Sequence, residues 1–142
     1  MFSLQVDDFT CGIVPRAIGG PYAVLIAEQM RVSGARVILG LTSAGRVSPS
    51  IPLPGLVVVT RAIRDEGTSY HYLPPAETVD ATPNLAQLLE SELKKLPLPV
   101  LSGLTWTTDA PYRETERQLS EYAKVGVLAV EMQAASLLAF AE

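Results

Sequence analysis

Short apolar runs, each ending in small residues and leading into a helical pattern, constrain this chain more than any other feature. Arg36–Leu41 (RVILGL) and Leu56–Thr60 (LVVVT) are almost continuously apolar, the pattern of strands buried on both faces of a sheet. Val100–Leu104 and Val127–Val130 read the same way, and Gly12–Ile18 reads as a strand ending at Gly19-Gly20. Helical patterns separate them. Tyr22–Val32 follows Pro21, whose missing N–H does no harm in a first turn, and Gly34 supplies a left-handed stop. Thr82 is an N-cap with Pro83 at the first helical position, and Leu85, Leu88, Leu89, Leu93 and Leu96 repeat at helical spacing until Pro97 and Pro99. Tyr112–Lys124 is a mixed-charge helix, and Glu131–Phe140 is a last helix. Such alternation predicts an α/β layered fold. Thr42–Gly55 and Arg61–Pro75 read as irregular connections.

Composition narrows the function classes. The 142 residues fit one domain, 1–142. Apolar residues at 48% and charged residues at 18% exclude global disorder. A net charge of −4 argues against a nucleic-acid surface. The longest uncharged run, Val47–Thr60, has fourteen residues and three prolines, too short and broken to span a bilayer. The N-terminus is acidic, with no signal-peptide pattern. Cys11 is the one cysteine, so an intrachain disulfide is excluded, and it is expected as a small buried residue beside a strand. These readings suit a cytoplasmic protein without nucleic-acid or membrane partners.

Ligands of open α/β sheets bind outside the carboxyl ends of strands. Gly19-Gly20-Pro21, Thr42–Gly45, Thr107-Thr108-Asp109 and Glu131-Met132-Gln133 occupy such places. Thr42–Gly45 offers small residues and two hydroxyls, a composition that lets backbone N–H groups and side chains approach an anion; an ordinary Ser/Gly turn has the same composition. There is neither a GxxxxGK[ST] nor a GxGxxG run. His71 is the only histidine, between Tyr70 and Tyr72, and reads as a packing or interface residue. No metal centre is expected. Glu131 at a helix start can be a cap, Met132 can be core, and the charged stretch Arg113–Arg117 can be a solvated face.

Taken in order, the segments resemble the nucleoside phosphorylase family that includes uridine phosphorylase and hexameric purine nucleoside phosphorylase. GIVPRAIGGPYAVLIAEQM (Gly12–Met30) resembles its Gly-Gly-Pro step, and RVILGLTSAGRV (Arg36–Val47) its strand and phosphate loop. LVVVTRAIRDEGTSYHYLPP (Leu56–Pro75) is similar to the uridine-phosphorylase-like branch. WTTDAPYRETER (Trp106–Arg117) resembles the loop that closes over the base, and VLAVEMQAASLLAFA (Val127–Ala141) the segment that holds the ribose.

The resemblance implies a three-layer fold with a central mixed sheet flanked by helices, shortened at both ends relative to the family. It implies phosphate-dependent cleavage of a nucleoside's N-glycosidic bond, uridine favoured, with inorganic phosphate as co-substrate, no cofactor, and a homo-oligomer. By it, Thr42 and Ser43 would bind phosphate. Ala44, Gly45 and Arg117 would border the base, and Glu131, Met132 and Gln133 the ribose. No catalytic residue is assigned.

The departures weaken the anion site. Gly40 stands where the family carries an arginine, Arg16 does not replace another, Gln133 replaces a carboxylate, and Thr115 replaces a glutamine. Neutral groups hold phosphate and sugar hydroxyls less strongly, since charge-assisted bonds are roughly twice as strong. Weak or absent phosphorolysis is therefore expected. Two alternatives stay open: a non-catalytic nucleoside-binding or oligomerising remnant, and a nucleosidase that uses water.

Overall fold

The computed structural model describes residues 2–142. In chain order its elements are β1 (Phe2–Val6), β2 (Phe9–Ile13), α1 (Gly20–Val32), β3 (Gly45–Arg46), β4 (Leu56–Asp65), β5 (Thr78–Asp80), α2 (Pro83–Leu93), β6 (Val100–Thr108), α3 (Glu116–Lys124), β7 (Ala129–Glu131) and α4 (Ala134–Ala141). Strands β3-β7-β6-β4-β5 form a five-stranded mixed sheet, while β1 and β2 form a separate antiparallel ribbon. The three middle strands of the sheet are parallel, and β3 and β5 run antiparallel at its edges. The expected α/β class, a mixed sheet flanked by helices, is what the chain adopts.

Side-chain alternation along β4 explains the layers. Ile63 joins Trp106, Val127 and Val130 on one face, where Leu119 and Tyr122 of α3 cover them. The adjacent Ala62 points the other way and meets Val79 and Ala135 of α4. Val59 lies on that same α4 face although it is an odd number of residues from Ala62. Thr60 accounts for this: the β4–β6 register moves from Val59↔Gly103 to Arg61↔Leu104, so one extra residue turns the strand. Helix α1 packs against α4 as a further layer.

The boundaries differ from expectation for local reasons. Strands β4 and β6 run on to Asp65 and Thr108, past the expected Thr60 and Leu104, because they pair with each other along their whole length. Helix α3 starts at Glu116, not Tyr112. Thr115 is extended and its hydroxyl accepts from Gln118 N, while the Gln118 side chain returns to Thr115 N, a capping box that sets the first turn. Pro111–Arg113 forms a short 3-10 turn instead. Helix α4 starts at Ala134 because Glu131 is still a strand residue, paired with Thr107. Thr82 does precede α2, but its side chain makes no capping bond.

Three expectations fail. Arg36–Leu41 is not a strand: no ladder partner reaches it, and Val37, Leu39 and Leu41 are 62%, 71% and 89% exposed. An apolar run becomes a strand only where neighbours bond both its edges and cover both its faces. Gly12–Ile18 is strand only to Ile13; the chain reaches Phe9–Ile13 as the second arm of a hairpin, turning at Asp7 with φ 49. Cys11 lies on that ribbon and is exposed. Among the described residues, no helix is long and apolar enough to cross a membrane.

Candidate functional site

The β3–β7 pairing joins two of the expected segments. Gly45 opposes Val130, which precedes Glu131-Met132-Gln133, so the loop Thr42–Ala44 arrives beside the carboxyl end of β7. Glycine at 45 lets the strands approach closely, since a Cβ there would lie 2.9 Å from Val130 Cγ1 and force a shift. Thr42, Ser43 and Ala44 are exposed, and the Thr42 hydroxyl donates to Ser43 O at 3.2 Å. Met132 is half-buried, and Gln133 is buried.

Glu131 lies beneath this edge. It is 5% exposed. Thr107 Oγ1 donates to its Oε1 at 2.5 Å, and the N–H groups of Gln133 and Ala134 each donate to its Oε2 at 2.7 Å. Burial is the main reason its pKa rises above the ordinary 4.5, with Glu66 adding to it and the three bonds opposing it. Arg117 stands apart from these residues on α3, its side chain 86% exposed and its Nε bonded to Glu121 at 2.9 Å.

The expected segment Thr107-Thr108-Asp109 ends β6 beside the end of β4, and composition and spacing missed only the β4 side. A cleft of about 530 Å³ lies there, lined by Arg64, Asp65, Trp106, Asp109, Arg113 and Glu114 among others. Trp106 Nε1 donates to Asp65 at 2.9 Å, and Gly67 N donates to Asp109 at 2.9 Å, so Asp109 ties the two strand ends together. Arg64 is 4% exposed, with bonds to Ser69 Oγ, Pro74 O and Leu73 O and its guanidinium 4.3 Å above the Tyr70 ring. The β6 side is legible in sequence, as Thr107-Thr108-Asp109 after a strand and in the resemblance of Trp106–Arg117; Arg61–Pro75 reads as irregular connection until β4 is seen to continue into it. His71 is exposed beside a second, shallower cleft with Thr68 and Tyr72. Among the described residues, no group of three or more His, Cys, Asp or Glu side chains is disposed to hold a metal ion.

The sequence model described as the phosphorylase superfamily matches residues 9–142. Uridine phosphorylase of Escherichia coli (strain K12) is 26% identical over 148 residues, covering 94% of this chain and 58% of that protein. Guanosine phosphorylase of Halorubrum lacusprofundi is 28% identical over 134 residues, covering 91% of this chain and 54% of that protein. The crystal structure of uridine phosphorylase from Vibrio fischeri ES114 complexed with 6-hydroxy-1-naphthoic acid superposes with a TM-score of 0.86 at 25% identity, covering 97% of this chain and 57% of that one. The chain thus spans about half the length of the curated relatives it matches.

Proposed function

The chain belongs to the phosphorylase superfamily, and from that premise we propose that it is a nucleoside phosphorylase-like protein whose site is the β3–β7 edge. The observation that carries this reading is the Gly45–Val130 pairing, which sets a hydroxyl-rich loop against the turn holding Met132 and Gln133. Phosphate is taken by Thr42 and Ser43, the base borders Ala44 and Gly45, and the ribose packs on Met132 with Gln133 toward its hydroxyls. Glu131 serves the ribose side, and Arg117 reaches the base only if its bond to Glu121 is exchanged.

Phosphorolysis needs phosphate positioned against the anomeric carbon and stabilisation of charge on the departing base. Thr42 and Ser43 can orient an anion but bring no positive charge to it. The favoured substrate is a uridine-like nucleoside, with inorganic phosphate as co-substrate and no cofactor. The same reading makes the protein a cytoplasmic homo-oligomer.

A non-catalytic nucleoside binder is the second reading, favoured by the neutral Gln133 and by a Glu131 carboxylate already engaged by three donors. One assay separates the readings: uridine, inosine and methylthioadenosine are incubated with the protein, with and without phosphate, and base release is followed. Slow, phosphate-dependent release is expected. Release without phosphate would mean a nucleosidase, and no release with a nucleoside-induced melting shift would mean a binder. Neither release nor shift would sink the assignment.

A further inference from the structure

We propose that Thr107, Glu131 and Glu66 form a buried clamp that positions the sugar-side turn Met132–Ala135; the sugar assignment rests on the reading above, the clamp on geometry alone. The first N–H groups of a helix have no intrahelical partner and are usually met by a side chain at the N-cap. At α4 the N-cap is Gln133, whose side chain makes no such bond. The donors are met from outside the helix. Glu131 Oε2 accepts from Gln133 N and Ala134 N, both at 2.7 Å, and Thr107 Oγ1 accepts from Ala135 N at 2.9 Å.

Thr107 uses its hydroxyl twice, since it also donates to Glu131 Oε1 at 2.5 Å. Glu66 adds a third arm: Ser136 Oγ of α4 donates to its Oε2 at 2.6 Å, and Ser69 N donates to the same oxygen at 3.0 Å. Thr107, Glu131, Glu66 and Ser136 are 0%, 5%, 7% and 0% exposed. The ends of three parallel strands thus converge on one turn. Two buried carboxylates are a costly way to cap a short helix. What they add over a local cap is a fixed placement of the Met132 and Gln133 backbone relative to the sheet. Glu131 is then a positioning residue that reaches the sugar through Gln133, not a ligand of its hydroxyls.

The test compares the parent chain with Thr107→Val, Thr107→Ser and, as a control on the opposite face of the sheet, Leu119→Ala. Amide exchange is read at Gln133–Ala135, and uridine, inosine and methylthioadenosine affinity by melting shift. Thr107→Val should exchange at least tenfold faster there and bind nucleoside at least tenfold more weakly. Thr107→Ser should restore both to within about twofold. Leu119→Ala should lower the melting temperature with affinity unchanged. If Thr107→Val does not fold, Ser136→Ala, which removes only the Glu66 arm, should give the same signs at smaller size. Unchanged exchange in these variants overturns the clamp, and faster exchange with unchanged affinity overturns its role at the sugar. A parent chain that binds none of the three nucleosides sinks the nucleoside assignment instead, and the exchange data alone then decide the clamp.

Discussion

Single residues in this protein are held by partners far away in the chain. Glu66 meets Ser136 across seventy positions and Glu131 meets Thr107 across twenty-four. No spacing rule finds such pairs, which is why Glu131 reads from sequence only as a cap or a sugar ligand. Its buried setting makes a pH prediction. Burial, helped by Glu66, lifts its pKa above 4.5, so the folded state holds that proton more tightly than the unfolded state. Its contribution is fully present below the unfolded value and is lost as pH rises through the folded one. Thermal scans from about pH 4.5 upward should show the parent losing stability over that window, and Glu131→Gln losing less. Equal pH slopes for the two proteins would contradict this. Arg64 gives a second test. Replacing it with Met strands the Ser69, Pro74 and Leu73 acceptors and removes the cation from the Tyr70 face. Urea unfolding should show a loss of about 3 kcal/mol, as expected for a buried, charged donor with several bonds.

Elements were legible where the signal is local. Thr82-Pro83 before a leucine repeat marked α2, and the Pro21 start marked α1 to within two residues. The burial of α2 was less legible: Leu89 and Leu93 are half-buried, while Leu85 and Leu88 are 52% and 58% exposed, because periodicity says nothing of how wide a stripe the sheet will cover. Arg36–Leu41 shows the same limit in reverse, since strand character depends on a partner the run does not specify. Contact between elements supplies a sharp test at Gly20. A Cβ there would sit 2.2 Å from Ser136 Oγ, on the helix that α1 packs against. Ser136 is held by Glu66 and cannot simply turn aside. Gly20→Ala should therefore destabilise by about 1–3 kcal/mol despite its better helix propensity. A melting temperature at or above the parent's would show that α1 can shift away freely.

Across the whole molecule, the sheet, its helices and the family were legible because five segments recur in order, whereas the fate of the first residues was not. The hairpin register opposes Phe2 to Ile13, Leu4 to Cys11 and Val6 to Phe9, so six apolar side chains share one face. Phe2, Leu4, Val6, Phe9 and Ile13 are between 46% and 67% exposed. The opposite face carries Ser3, Gln5, Thr10 and Gly12. A two-stranded ribbon is marginal alone, and an apolar patch of this kind is a sign of contact with another surface. The proposed homo-oligomer gives it one, since a patch without charge can meet its own copy across a twofold axis. Each such side chain is worth about 1.5–3 kcal/mol when buried. Placing charges on the face by Leu4→Lys with Phe9→Lys should weaken self-association at least about a hundredfold, read by light scattering across a dilution series. The polar-face change Ser3→Lys should leave the association constant within about twofold, because that side chain points away from the contact. A parent chain that stays a compact monomer at high micromolar concentration would remove the homo-oligomer, and a pair of charges without effect would move its interface off the hairpin.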